Sequence, residues 1–132
     1  MAATLAAVLP LLTGTALLML GNTLLGILLP LELAAAGYST AWVGLVMSSF
    51  FAGFMLGAWY GKTLIGRVGH IRVFAGLAAL HAAAALMHPA LGDSLPAVIL
   101  LRVATGFAIA GLTTVMESWL SERSTPETRG RV

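Results

Sequence analysis

The sequence predicts an all-α membrane protein with four transmembrane helices. Of its 132 residues, 59% are hydrophobic and only 9% are charged, whereas about a quarter of the residues of a soluble domain are charged. Charged residues are missing from 1–31, 33–61 and 73–92. A helix needs about 20 residues to cross a bilayer, so each of these stretches is long enough, and the lipid bilayer is the expected environment.

The first span is predicted at about 5–29, with Pro10 near its start and Pro30 near its end. A helix loses backbone donors at little cost in such positions, and Glu32 marks the exit from the membrane. The small residues at 33–37 also resemble a signal-peptide cleavage site. No Lys or Arg precedes them, however, and the apolar stretch exceeds the usual length of about 7–15 residues. The segment is therefore expected to stay in the membrane.

The second span is predicted at about 41–60. In the link before it, Gly37 is placed to end one helix, and Ser39 or Thr40 is placed to cap the next. The span is followed by a predicted short loop at 61–72. Its basic residues are Lys62, Arg67 and Arg72.

The third span is predicted at about 73–88, closed by His88 and Pro89, and the turn at 92–94 leads into a fourth span at about 96–120. The tail at 121–132 is polar. Within it, the spacing of Ser124 and Glu127 around Pro126 is typical of a capping box, which predicts the start of another helix.

Basic residues indicate the orientation of the spans. The segments 61–72 and 121–132 each contain three, and the two opposite links contain none. Lys and Arg accumulate on the cytoplasmic side, so both basic segments and the N-terminus are expected in the cytoplasm.

Composition excludes several functional classes. The chain contains no cysteine, which excludes disulfides, thiolate metal sites and cysteine nucleophiles. No cluster of Ser, His and acid, no metal-binding helix motif and no phosphate loop occurs; the protein is therefore not expected to be an enzyme, and no cofactor is expected. The net charge is only +2 and no basic run is paired with aromatic residues, so nucleic acid is not an expected partner.

Two ionisable residues lie inside the fourth predicted span. Arg102 costs about 2.5–3.5 kcal/mol in hydrocarbon on insertion scales, so it either faces protein or an aqueous cavity or snorkels to the interface. Glu117 is offset from it by about 60° around the helix, so both are expected to face the bundle interior. We hypothesise that Arg102 contacts substrate or a proton-linked group and that Glu117 serves a cytoplasmic gate.

Other polar residues have weaker signals. Asn22, midway through the first span, is expected either to hydrogen-bond across helices or to bind a ligand. His81 and His88 share a helix face, which is more typical of packing than of a metal site with two ligands. The aromatic residues near span ends fit an interfacial belt. These are Trp42, Trp59 and Tyr60.

Glycines recur at every fourth position in the second span. Gly53, Gly57 and Gly61 line one face, which lets another helix approach closely. With the segment that follows, they place glycines and spaced cations at a helix junction. This pattern resembles the signature between the second and third helices of the major facilitator superfamily. Its candidate gating residues are Gly57, Gly61, Arg67, Gly69 and Arg72.

Two further elements resemble the same superfamily in the same order. Arg102, Gly106 and Gly111 look like its fourth-helix pattern of an intramembrane arginine followed by glycines. The tail is similar to its junction of helices four and five. The residues that match there are Glu122, Pro126, Arg129, Gly130 and Arg131. Together the matches cover nearly the whole chain and look most like a bacterial branch, in the inner membrane.

The resemblance implies an N-terminal portion, residues 1–132, of a transporter that moves a small molecule by proton-coupled alternating access. The implied partners are an unknown small-molecule substrate, protons, and either further C-terminal helices or another copy. The junction departs from the usual motif, since Gly66 stands where an acid precedes the basic residue, and His70 stands where a basic residue is common. The implied lock of the outward-open state is expected to be weaker or differently built.

Two alternatives stay open. A complete four-helix exporter that works as a dimer would fit the length, but that family depends on an acid within its first helix, and none precedes Glu32. A membrane scaffold subunit would need only packing faces such as the glycines of the second span. It leaves Arg102 unexplained.

Overall fold

The structure, a computed structural model, describes the backbone of residues 2–123 and the side chains of residue 6 and residues 8–122. This part of the chain forms four helices: α1 (Ala2–Ala35), α2 (Thr40–Val68), α3 (His70–Leu91) and α4 (Leu95–Arg123). Each contains a segment long and apolar enough to cross a membrane: Val8–Ala35, Thr40–Val68, His70–Leu91 and Leu95–Glu122. The predicted all-α fold with four membrane-spanning helices is confirmed.

The helices extend beyond the predicted spans. The expected loop at 61–72 is helical except for Gly69, because α2 continues to Val68 and α3 begins at His70. α4 likewise continues through residue 123. A charged residue marks where hydrocarbon ends, but Lys and Arg are good helix formers and do not end a helix.

Prolines also fail to end the helices where the sequence indicated. Pro10 and Pro30 lie inside α1, and Pro89 lies inside α3, which continues to Leu91. Membrane helices tolerate proline because local adjustments and neighbouring groups satisfy the freed backbone carbonyls.

The link between α1 and α2 ends α1 in a Schellman motif. The Gly37 N–H donates to the Ala34 carbonyl (3.0 Å) and the Tyr38 N–H donates to the Leu33 carbonyl (3.1 Å). Gly37 adopts φ +89°, a conformation that costs glycine little. The predicted helix-ending role of Gly37 is confirmed, whereas Ser39, at the N-cap of α2, makes no side-chain capping bond.

Gly69 alone separates α2 from α3. It adopts φ +92° and ψ 157°, its N–H donates to the Ile65 carbonyl (2.9 Å), and its own carbonyl accepts from the Val73 N–H (3.1 Å). One residue therefore ends one helix and starts the next. We refer below to the Gly37 end of the bundle, which also carries the turn at 92–94, and to the opposite Gly69 end.

α4 is the central helix of the described bundle. Of its spanning window, 56% is buried, against 11% for α1, and its most extensive contacts are with α2 and then α3. A Cβ on Gly53 would overlap the Val103 carbonyl, and a Cβ on Gly57 would overlap the Phe107 carbonyl. The predicted glycine face of α2 is thus confirmed as a close-approach surface, and its partner is α4.

Two apolar clusters hold the remaining interfaces. Towards the Gly69 end, α3 packs against α4 through Val73, Leu77, Ala108, Leu112 and Val115. Towards the Gly37 end, α1, α2 and α4 meet through Leu29, Leu33, Val46 and Val98. Polar side chains lie between these two clusters.

Candidate functional site

Arg102 is buried within the bundle, in the half nearer the Gly37 end, with 4% of its surface exposed. Its guanidinium carbon lies 4.7 Å from the centroid of the Phe50 ring on α2. Its Nε and Nη1 atoms are buried and have no hydrogen-bond partner among the described residues. Arg102 therefore faces protein instead of snorkelling. Its role in transport stays a prediction.

The surroundings of Arg102 compensate its charge only in part. A desolvated cation over an aromatic ring gains about 2 kcal/mol, whereas removing an ion from water costs several kcal/mol after relaxation. In the described part of the chain no carboxylate forms an ion pair with Arg102, and the contact between a carboxylate and a basic side chain there joins Glu122 and His70. The donors of Arg102 thus point to a partner that the four helices do not supply.

Two histidines of α3 lie within electrostatic range of Arg102. His81 and His88 have 3% and 5% of their surface exposed, and each interacts electrostatically with the guanidinium. The Nδ1 of His88 lies 2.7 Å from the Ala84 carbonyl, so Nδ1 carries the hydrogen and donates it. The Nε2 of His88 and the Nδ1 of His81 are buried without a described partner.

Sequence reasoning treated the two histidines as a packing pair and did not connect them with Arg102. The sequence feature that could have connected them is the depth of each residue along its own helix. Arg102 lies about 10 Å from the start of α4 at Leu95, whereas His88 and His81 lie about 5 and 15 Å from the end of α3 at Leu91. Since the turn at 92–94 joins these two helix ends, Arg102 lies at a level between the two imidazoles.

The cluster does not form a metal site within residues 2–123. No three side chains of His, Cys, Asp or Glu in that range are grouped so as to hold an ion. The guanidinium beside the imidazoles also disfavours a second cation.

α1 carries two further buried polar side chains and one exposed acid. The Thr15 Oγ1 and the Asn22 Oδ1 are buried and have no partner among the described residues. Of the two roles expected of Asn22, a cross-helix hydrogen bond is therefore not made by its carbonyl oxygen among these residues, and ligand binding stays a prediction. Glu32 is exposed at the Gly37 end and lies within electrostatic range of His88.

Glu117 does not face the bundle interior as expected. It is exposed and lines an open cavity of about 440 Å³ between α2 and α4 at the Gly69 end, together with Lys62 and Glu122. An offset of about 60° from Arg102 is enough to turn it out of the narrow glycine-lined interface. Its predicted role at a gate stays a prediction.

The Gly69 end carries a polar side-chain contact between α3 and α4. The His70 Nε2 lies 3.0 Å from the Ser118 Oγ and 3.6 Å from the Glu122 Oε1. Gly69 places His70 in the first turn of α3, beside the last turns of α4. A histidine thus stands in a cross-helix contact at the junction whose usual acid is replaced by Gly66.

Some of the other predicted junction residues lie in the described part of the chain, and some lie outside it. Arg67 and Arg72 are exposed on either side of Gly69, and a Cβ added to Gly61 would lie 3.2 Å from the Thr114 side chain. Arg129 and Gly130 lie outside the described residues, as do the other predicted tail residues beyond Arg123.

Comparison with known protein families identifies a match. The sequence model of the Major Facilitator Superfamily matches residues 11–132. No curated protein and no solved structure matches the chain. The match covers all of the site residues described above.

Proposed function

The chain belongs to the Major Facilitator Superfamily, and from this premise we propose that it is the first part of a secondary transporter that moves a small molecule by alternating access. It is a multi-pass membrane protein of the transporter kind. We place it in a bacterial inner membrane, with the N-terminus and the Gly69 end in the cytoplasm, in line with the basic residues at that end.

Buried Arg102 is the observation that carries this proposal. A membrane subunit that only packs against a partner has no need for a guanidinium with partnerless donors inside its bundle, whereas ionisable groups inside membrane bundles typically mark pathways and relays. A scaffold role would account for the α2–α4 glycine contact alone.

The test is metabolite transport by cells that produce the protein. Untargeted mass spectrometry would compare the small molecules inside and outside cells with wild-type protein, with Arg102→Ala and with Glu117→Gln at matched membrane levels. We expect wild type to change the distribution of at least one compound and Arg102→Ala to abolish that change. Wild-type rates in both variants would contradict the proposed site.

Coupling to protons is the second part of the proposal. The titratable groups within electrostatic range of Arg102 are His81 and His88 on α3, and Glu32 at the Gly37 end is within electrostatic range of His88. On α2, Phe50 faces the guanidinium. A pH gradient imposed on proteoliposomes is expected to drive accumulation of the compound found above. Equal accumulation with and without the gradient would exclude proton coupling.

We further propose that the described helices work together with others. Each half of a superfamily transporter consists of two inverted three-helix repeats, so α1–α3 correspond to one repeat and α4 to the start of the next. Reading the coding region past Val132 is expected to reveal about eight more spans. An immediate stop codon would favour a small oligomeric exporter or a scaffold.

A further inference from the structure

The buried groups around Arg102 define the chemistry of a ligand. We propose that Arg102, His81 and His88 form a binding site for the carboxylate of a small organic monoanion. This inference rests on the proposed transport function and deepens it by naming the class of substrate.

Charge is the first argument. Arg102 is the only permanent cation of this cluster, and the described carboxylates nearest to the Gly37 end, those of Glu32 and Asp93, are exposed. An ion in a low-dielectric interior is stable only when it is paired and hydrogen-bonded. One carboxylate neutralises one guanidinium, whereas a dianion would leave an uncompensated negative charge.

The unpartnered atoms are the second argument. Buried polar atoms in proteins nearly always have a hydrogen-bond partner, and exceptions need an explanation. Four such atoms occur on three side chains that are each more than nine-tenths buried. They are Arg102 Nε, Arg102 Nη1, His81 Nδ1 and His88 Nε2.

The donor pattern is the third argument. The Nε–H and Nη1–H groups of a guanidinium point from different edges, so one of them can hold one oxygen of a carboxylate, and the His81 Nδ1, which donates in one of its two tautomers, can hold the other. The His88 Nε2 accepts while the ring is neutral, since its Nδ1 donates to the Ala84 carbonyl. It can take a hydroxyl hydrogen of the ligand or a proton.

The closing experiment measures binding to the full chain purified in detergent. Benzoate is the probe, and benzamide is its matched uncharged control, with nearly the same shape. Isothermal titration is expected to show saturable binding of benzoate and none of benzamide. Arg102→Gln is expected to weaken benzoate binding by about a hundredfold, since it removes one partner of a buried charge pair, and His81→Phe and His88→Phe by about tenfold each.

Ser48→Ala is the matched silent variant. Its hydroxyl is exposed and donates only within its own helix, to the Gly44 carbonyl at 2.6 Å, so benzoate affinity is expected to equal that of wild type. Helical content and a monodisperse elution profile would show whether each variant folds. If Arg102→Gln does not fold, His81→Phe and the benzamide comparison still decide the question.

Three results would overturn the inference: no saturable benzoate binding, equal binding of benzoate and benzamide, or unchanged affinity in Arg102→Gln. The first would show that the unpartnered atoms of Arg102, His81 and His88 do not form a carboxylate site. The metabolite transport experiment distinguishes failure of this inference from failure of the proposed transport function. Transport of a neutral or cationic compound without benzoate binding would remove the inference alone, and benzoate binding without any transport would remove the proposed function alone.

Discussion

Gly106 of α4 lies directly against the backbone of Phe50 of α2, so that a Cβ at position 106 would overlap the Phe50 carbonyl. Gly106 is one helical turn beyond Arg102 and shares its face. The close backbone contact at Gly106 therefore brings α2 near enough for the Phe50 ring to cover the guanidinium. A packing glycine and the buried cation form one structural unit.

Gly106→Ala is expected to separate α2 from α4 and to lower stability by about 1–3 kcal/mol, the usual penalty for overpacking. Thermal unfolding in detergent, followed by circular dichroism, would measure the loss. Gly44→Ala on α2 is the control, because nothing lies within 4 Å of its Cβ position. An unchanged midpoint for Gly106→Ala would show that the contact can relax without cost.

Gly69→Ala is expected to lower stability by about 1–2 kcal/mol for a different reason. Space for the Cβ is open, but the backbone has φ +92°, which non-glycine residues adopt only with strain. Gly66→Ala also meets open space, lies inside α2 and has no positive φ, so it is expected to be neutral or slightly stabilising. Equal effects of the two substitutions would mean that the junction does not depend on this conformation.

Much of the fold could be predicted from sequence because it depends on local signals. The number of helices follows from uncharged stretches, and the end of α1 follows from Gly37. Helix lengths were underestimated, because a charged side chain at an interface ends the hydrocarbon segment and not the helix, as Lys62 shows.

Less of the site could be predicted. A sequence indicates the depth of a residue along its own helix, but not the direction in which that helix faces its neighbours. The level of Arg102 between His81 and His88 was therefore available in principle, but whether the three side chains face one another depends on how α3 packs against α4. For Glu117, the sequence gives the angular offset from Arg102 around the helix. It does not give the width of the α2–α4 interface, which is too narrow to include Glu117.

The His70–Glu122 pair is expected to couple the start of α3 to the end of α4 weakly. The side chain of Glu122 is 64% exposed and that of His70 is 19% exposed, and exposed ion pairs contribute about 1 kcal/mol or less. A double-mutant cycle with His70→Gln and Glu122→Gln would isolate this energy from the contact of His70 with Ser118. A coupling indistinguishable from zero would show that the pair does not support the junction.

Asn22→Leu is expected to reduce transport while leaving stability nearly unchanged. The Asn22 Oδ1 has no described partner, so its removal breaks no bond of that atom, but it deletes a polar group that faces the bundle. Thr23→Val is the neighbouring control, since its exposed hydroxyl donates only to the Met19 carbonyl at 2.9 Å. A large loss of stability in Asn22→Leu would instead assign the residue to packing.

Single cysteines can test the proposed orientation cleanly, because the chain contains none of its own. Ser39→Cys lies at the Gly37 end, where the native hydroxyl makes no capping bond, and Gly66→Cys lies at the Gly69 end in open space. In intact cells a membrane-impermeant maleimide is expected to label position 39 only, and both positions should react after lysis. Labelling of position 66 alone would show that the orientation is opposite to the one proposed. The basic residues at 62, 67 and 72 would then lie outside, against the rule that places such residues in the cytoplasm, and the contact of His70 with Glu122 would belong to an external gate.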